Sequence, residues 1–219
     1  MRFLLYGIVP EDTMSLDTWL AFLLACWIIS LSPGAGAVAS MASGLNYGFA
    51  RGYWNAIGLQ LALLMQIAIV AAGVGALLAA SALGFALIKW FGVGYLLYLG
   101  YRQWHAPVQE MRLQHRPIGR PLSLVLRGFI VNASNPKAIV FILAVLPQFL
   151  DPALPLVPQY LVMAMTMVTV DLIVMAGYTG LASRVIRLLD SPRQQRLVNR
   201  SFAAMFVLAA GVLATVRRA

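Results

Sequence analysis

The chain has few of the side chains on which soluble enzymes and metal proteins depend. Its 219 residues include one cysteine and two histidines, and only 11% are charged. The single cysteine, Cys26, can form neither an internal disulfide nor a thiol pair, which excludes a dithiol oxidoreductase. His105 and His115 form no cluster with cysteine or carboxylate at metal-ligand spacing, so neither a metal nor a cofactor is expected.

What the chain has in excess is apolar sequence. Hydrophobic residues make up 61% of it and the mean hydropathy is +0.83, which leaves too little polar surface for a soluble domain of this length. An all-α integral membrane protein is therefore predicted. Apolar runs near 20 residues predict six transmembrane helices, at 16–43, 54–80, 83–104, 122–149, 157–182 and 201–216.

Acidic residues are also scarce, and the net charge is +9. The basic residues concentrate after the first, third and fifth segments, whereas the loop after the fourth carries Asp151. The positive-inside rule then places the odd loops in the cytoplasm and the amino end outside a bacterial inner membrane. Anionic lipid accounts for the basic loops without nucleic acid. Arg217 and Arg218 disagree, so the last segment is either a short span or a re-entrant helix.

Residues 1–13 are too short to span a bilayer, and we interpret them as a dispensable extension before Met14. Ala35-Gly36-Ala37 resembles a signal-peptidase site, but Asp17 stands where a signal sequence needs basic residues. The remainder, 14–219, is expected to be one transmembrane domain.

Two of the apolar segments are interrupted near their middles, around Pro33 and around Pro136. Proline removes a backbone donor and breaks the helix, and freed backbone groups are tolerated at membrane depth only where protein or a water-filled cavity satisfies them. Paired interrupted helices are typical of a transporter site between two repeats. We predict inverted three-helix repeats at 14–104 and 122–219, joined by a basic cytoplasmic loop at 105–121.

Three charged residues fall within the predicted helices, where they cost roughly 2.5 to 3.5 kcal/mol each and need a reason to be present. Lys89 lies near the outer end of its helix beside Trp90, which favours interfacial anchoring. Lys137 and Asp171 lie near the middle of their segments. They either pair with one another or act in transport. In the second case Asp171 binds and releases a proton, and Lys137 adjusts the pKa of Asp171 or binds a substrate carboxylate.

Polar and small residues around the breaks complete the predicted substrate site. Asn132 and Asn135 can donate and accept hydrogen bonds. Gln60 and Gln66 do not share one helix face, so at most one of them is expected to line the cavity, and we assign Gln60 to the site and an interhelical hydrogen bond to Gln66. The remaining members are the break residues themselves, Pro33, Gly34, Gly36 and Pro136.

These features carry a family resemblance. The sequences Ser32-Pro33-Gly34-Ala35-Gly36-Ala37, Asn135-Pro136-Lys137, Pro147-Gln148-Phe149 and Val170-Asp171-Leu172 resemble the LysE/RhtB family of amino-acid exporters, in order, from Met14 nearly to the carboxyl end. Many members have Pro-Gly-Pro followed by Asn or Asp in the first helix, whereas Ala35 and Gly36 stand here, which matches one branch. The resemblance implies export of small neutral amino acids driven by the proton gradient.

Other functions stay open at this point. A passive channel would share the broken helices, and a membrane-embedded enzyme would need a nucleophile and base that are not evident. Threonine, leucine or lysine are alternative substrates, although lysine lacks a second intramembrane acid for its side chain. Small carriers often dimerise, so a homodimer is compatible with the sequence, but no residue specifies its interface.

Overall fold

A computed structural model describes residues 14–80, 82–106, 120–182 and 191–215. The extension at 1–13, most of the basic loop, and Arg217 and Arg218 lie outside the described residues. The described part is helical and contains α1 (Leu16–Leu31), α2 (Ala35–Gly52), α3 (Trp54–Ala80), α4 (Ala82–Trp104), α5 (Pro121–Ala133), α6 (Pro136–Val140), α7 (Leu156–Gly180) and α8 (Pro192–Thr215). Its α-helices fall in all six predicted segments.

Both predicted interruptions are confirmed. The axes of α1 and α2 differ by 57°, and the axes of α5 and the segment Pro136–Phe149 differ by 56°. At the second break Asn135 caps the new helix by accepting a hydrogen bond from the Lys137 backbone at 3.1 Å, as asparagine commonly does at a helix start. Helix α6 then passes into one π turn at Phe141–Val145 and a 3-10 turn at Leu146–Phe149.

Two helix boundaries differ from the sequence prediction. The first interrupted helix continues to Gly52 instead of residue 43, with a kink at Gly48, whose φ of 72° suits a residue without a Cβ. The last helix begins at Pro192 instead of 201. The first turns of this helix are polar, so they do not belong to the apolar run from which a transmembrane helix is predicted. They are held by packing on α4, where the Gln103 side chain donates a hydrogen bond to Asn199 at 2.9 Å.

The helices pair across the two halves of the chain. Helix α3 packs most extensively on α5, α4 packs on α8, and α1 and α2 pack on α7. Helices α3 and α5 approach very closely, because a Cβ at Gly58 would collide with the Val125 carbonyl and one at Gly128 with the Asn55 carbonyl. The glycines therefore set the distance between these two helices.

Two described helices, Trp54–Gly73 within α3 and Leu156–Gly180, are long and apolar enough to cross a membrane. The number rises to four when each bent pair is taken as one span. Helices α4 and α8 occupy the third and sixth predicted spans, but their described residues do not meet the same criteria of length and composition.

Candidate functional site

The two helix breaks lie against one another and enclose a small cavity of about 60 Å³. At roughly 10 to 15 Å³ for each water, this volume holds a few water molecules. The wall combines residues of both breaks with one face of α7, and its polar side chains are Ser30, Ser32, Asn132, Asn135, Lys137 and Asp171. The cavity is thus a polar chamber within an apolar helix bundle.

Carbonyl groups released by the first break are satisfied by side chains from other helices. Lys137 reaches across from the second break and donates through Nζ to the Ser32 carbonyl at 2.5 Å. Tyr178 of α7 donates to the neighbouring Leu31 carbonyl at 2.7 Å. The first break is therefore held by residues from both α6 and α7, as freed backbone groups at membrane depth require.

The second break has a similar partner on α4. The Tyr95 hydroxyl donates to the Pro136 carbonyl at 2.9 Å. A buried tyrosine hydroxyl usually finds such an acceptor. Tyr95 and Tyr178 therefore each connect a long helix to one of the two breaks.

Asp171 lies half-buried in the chamber, on the face of α7 that points toward the first break. Its Oδ2 accepts a hydrogen bond from Gln60 Nε2 at 2.5 Å, and the Ser30 side chain also interacts with the carboxyl group. Lys137 lines the same chamber, but its hydrogen bond goes to Ser32. Aspartate and lysine therefore occupy one chamber with different immediate partners, Gln60 for the acid and Ser32 for the base.

Two buried polar atoms near Asp171 have no hydrogen-bond partner among the described residues. They are the Ser32 hydroxyl oxygen and the Gln60 side-chain carbonyl oxygen. A buried polar atom without a partner costs about 1 to 3 kcal/mol, so each is poised to bond to a ligand or to water. Ser32 and Asp171 line the chamber, so their oxygens can accept hydrogen bonds from a bound ammonium group, whereas Gln60 is not among the lining residues and contacts Asp171.

The two predicted asparagine ligands are engaged in holding the break. Asn132 is buried, donates to the Leu59 carbonyl of α3 at 2.9 Å, and accepts a bond at its backbone carbonyl from Gln66 at 3.0 Å. The Asn135 side-chain oxygen caps α6, while its nitrogen lies 3.5 Å from the Asn132 oxygen. Gln66 joins two helices, as expected of one of the two glutamines.

A second and larger space of about 830 Å³ adjoins the chamber, and we call it the vestibule. The two share Gly34, Asn135 and Lys137, so these residues form the floor of the vestibule and the roof of the chamber. The lining of the vestibule includes Tyr101 and Arg102 of α4, His105 just after that helix, and Arg127 of α5. The vestibule opens where α4 ends and α8 begins.

On the opposite side of the chamber, apolar side chains fill the space between the helices. Phe22 and Cys26 of α1 and Met163 of α7 are 0% exposed. The Phe22 ring contacts Phe149 edge-on, with ring centres 5.2 Å apart. Phe22, Cys26 and Ser30 recur at intervals of four residues, which places them along one face of α1. We call Phe22, Cys26, Phe149 and Met163 the plug.

All nine residues of the predicted site lie in one region. Gly34, Gly36, Asn132, Asn135, Lys137 and Asp171 line the chamber, Pro33 and Pro136 line the vestibule, and Gln60 bonds to Asp171. Sequence reasoning missed Ser30 and Tyr178. The signal for Tyr178 was its hydroxyl within an apolar helix, which needs a partner, whereas nothing set Ser30 apart.

Residues 27–217 match the LysE type translocator family. The chain belongs to this family. Among curated LysE-like relatives it is 42% identical to an uncharacterized membrane protein of Vibrio cholerae, over 93% of this chain and 100% of that protein. It is 38% identical to the homoserine/homoserine lactone efflux protein of Salmonella typhimurium, over 94% of this chain and 100% of that protein. A leucine efflux protein of an Enterobacter species is 26% identical over 92% of this chain and 96% of that protein. No solved structure matches the chain.

These matches confirm the family resemblance seen in the sequence. The family is named for translocation, and its named relatives are efflux proteins for amino acids or a derivative. The described residues contain no group of three or more His, Cys, Asp or Glu side chains that could hold a metal ion.

Proposed function

We propose that this protein exports small neutral amino acids, homoserine and its lactone first among them, across the bacterial inner membrane in exchange for protons. The chamber supports this proposal because an acid, a lysine and the unpartnered Ser32 hydroxyl line one polar space at two helix breaks. The substrate assignment follows the homoserine efflux relative, which covers more of this chain at higher identity than the leucine efflux relative.

The charges of the chamber suggest how an amino acid binds. Its ammonium group pairs with Asp171 and donates to the unpartnered hydroxyl oxygen of Ser32. Its carboxylate meets Lys137, which exchanges part of its interaction with the Ser32 carbonyl for the substrate. A zwitterion thereby replaces the missing direct partner of each charge, which lowers the cost of keeping both at membrane depth.

Proton coupling follows from the same acid. A substrate ammonium group and a proton compete for Asp171, because protonation removes the negative charge that attracts the ammonium group. A proton that reaches Asp171 from outside therefore displaces the substrate, and its release inside restores the site. Exchange of one for the other is the antiport.

The distribution of charge supports an orientation with the amino end outside. Described arginines lie near the ends of α2 and α4 and the starts of α5 and α8, where the vestibule opens. The acidic residues lie at the opposite helix ends, with Asp17 in the first turn of α1 and Asp151 shortly before α7. By the positive-inside rule the vestibule faces the cytoplasm. In this state the vestibule leads from the cytoplasm to the roof of the chamber, formed by Gly34, Asn135 and Lys137, and the plug closes the outer side.

The inverted repeat is part of the same proposal. Exchanging the first half, 14–104, with the second, 122–219, maps the pairing of α1 and α2 with α7 onto that of α5 and the π turn Phe141–Val145 with α3. It maps the pairing of α4 with α8 onto itself. The two bends also agree closely, at 57° and 56°. Rocking of the halves about the breaks would open the plug and close the vestibule.

The test uses inside-out membrane vesicles with an acidic lumen and labelled homoserine in the medium. The wild type should accumulate homoserine, and a protonophore should abolish the accumulation. Asp171→Asn should abolish it while the protein remains inserted and monodisperse, whereas Asp17→Asn, at an exposed position, should transport normally. Full gradient-driven uptake by Asp171→Asn would refute the proton-carrier role, and flux independent of the gradient would instead establish a channel.

A further inference from the structure

The vestibule has a strongly unequal charge. Arg102 and Arg127 line its wall and Lys137 forms part of its floor, together with His105 near the mouth. None of its described lining residues is Asp or Glu. Asp171 lines the chamber beyond the floor and is absent from the vestibule wall. A molecule entering the vestibule therefore meets positive charge before it meets the acid.

The wall that carries these charges is held in place by contacts between helices. The Arg102 guanidinium lies over the Tyr98 ring, 5.9 Å from its centre. At the next two positions, Gln103 bonds to Asn199 and the Trp104 ring centre lies 5.0 Å from the Arg200 guanidinium, which fixes α4 against α8. A cleft of one charge sign between low-dielectric walls focuses its field and raises the local concentration of oppositely charged groups by roughly ten- to a thousandfold.

We propose that Arg102 and Arg127 form a charge filter that admits substrates carrying a carboxylate ahead of net cations, and that turns the carboxylate of a zwitterion toward Lys137. This inference rests on the proposed function, since it concerns the preference for homoserine over its lactone on entry to the chamber. It names two residues that determine specificity and that lie outside the chamber itself.

The chemistry of the two substrates makes the filter measurable. Homoserine carries a carboxylate and an ammonium group, so it is a dipole that the vestibule can orient. In the lactone the carboxylate has become a ring ester, which leaves a neutral molecule or, when its amine is protonated, a net cation. The filter attracts one end of homoserine and repels the cationic lactone, so the two should respond in opposite directions to the loss of the arginines.

The experiment compares kcat/KM for labelled homoserine and its lactone in inside-out vesicles, whose outer surface would expose the vestibule. In the double variant Arg102→Gln/Arg127→Gln at low salt, the homoserine-to-lactone ratio should fall about three- to tenfold, within the range of steering by focused charge. Arg102→Lys/Arg127→Lys retains the charges and should keep most of the ratio. Arg51→Gln, on α2 and outside the vestibule lining, should leave the ratio unchanged.

A second measurement needs no variant and applies even if the double variant fails to insert. Raising salt shortens the Debye length from roughly 30 Å at 0.01 M to 3 Å at 1 M, so the wild-type ratio should fall toward that of the double variant. A ratio that is insensitive to both salt and substitution would overturn the filter. An equal loss for both substrates would also overturn it, since it would reduce the arginines to structural support. If the wild type transports neither substrate, the proposed function fails instead.

Discussion

Lys137 of the second helix break donates a hydrogen bond to the carbonyl oxygen of Ser32 at the first, with a distance of 2.5 Å between Nζ and oxygen. One side chain thus joins the two interruptions of the molecule. A Cβ at Gly34 would lie 3.5 Å from both Lys137 Cδ and Nζ, so the lysine stem also packs closely along the first break. Substrate that binds Lys137 would therefore act on both breaks together.

Lys137→Met should abolish most transport without unfolding the protein. Methionine removes a charge-assisted hydrogen bond worth about 1.5 to 3 kcal/mol, but it also removes the desolvation cost of a buried ammonium, which is several kcal/mol. These two contributions to stability oppose one another, so the melting temperature in detergent should change little. Export of homoserine should fall at least about tenfold, since each 1.4 kcal/mol of lost binding is a factor of ten.

Lys137→Arg is the matched control, because it keeps the charge and a donor for the Ser32 carbonyl. It should retain more activity than Lys137→Met at equal abundance in the membrane. Wild-type export by the methionine variant would show that the lysine neither meets the substrate nor couples the breaks.

The contact between α3 and α5 predicts a contrast among glycines. Alanine at Gly58 or Gly128 would place a Cβ into the backbone of the facing helix, and such overpacking costs typically 1 to 3 kcal/mol. Both variants should melt at lower temperature than the wild type. Gly94→Ala in α4 meets nothing within 4 Å, so it should be neutral or, through better helix propensity, slightly stabilising. Equal melting temperatures for all three variants would mean that the helices can separate freely.

The breaks and the acid of the chamber could be predicted from sequence because their signals are local. Pro33 and Pro136 interrupt their helices whatever surrounds them, and a carboxylate at Asp171 within an apolar run demands a polar environment. The same reasoning predicts a functional role for Lys137, but it cannot identify the acceptor of the hydrogen bond that the lysine donates. That choice depends on how close the two breaks approach, a property of the packed bundle.

The side chains that bond to carbonyl groups at the two breaks could not be predicted for the same reason. Tyr178 and Leu31 are 147 residues apart, and Tyr95 and Pro136 are 41 apart. Each contact requires the relative rotation of two helices, which local pattern does not determine. The early start of the last helix at Pro192 depends on α4 in the same way, since its polar first turns become helical by packing on a partner.

Asn132 provides a test of whether a chamber residue binds substrate or supports the fold. Its amide donates to Leu59 on α3, and an interhelical hydrogen bond in a membrane protein contributes about 0.6 to 1.7 kcal/mol. Asn132→Ala should therefore lower thermal stability while the KM for homoserine stays near the wild-type value. Asn46→Ala, which removes an amide bonded within its own helix to Ala42, should affect stability less. A raised KM with unchanged stability would identify Asn132 as a substrate ligand.

The single cysteine makes the plug directly observable. Cys26 is 0% exposed and lies between Phe22 and the chamber, so a membrane-impermeant maleimide added from outside should label the resting wild type slowly.

Phe22→Ala removes one ring of the pair with Phe149 and leaves a cavity beside the thiol, a change that costs about 3 to 5 kcal/mol in a packed core. Labelling should accelerate at least about tenfold, by the factor of ten for each 1.4 kcal/mol. Leu24→Ala, at a side chain of the same helix that is 61% exposed, should leave the rate unchanged. Equal labelling of both variants would place the barrier to the outside elsewhere than at Phe22, because only the loss of the ring next to the thiol distinguishes them.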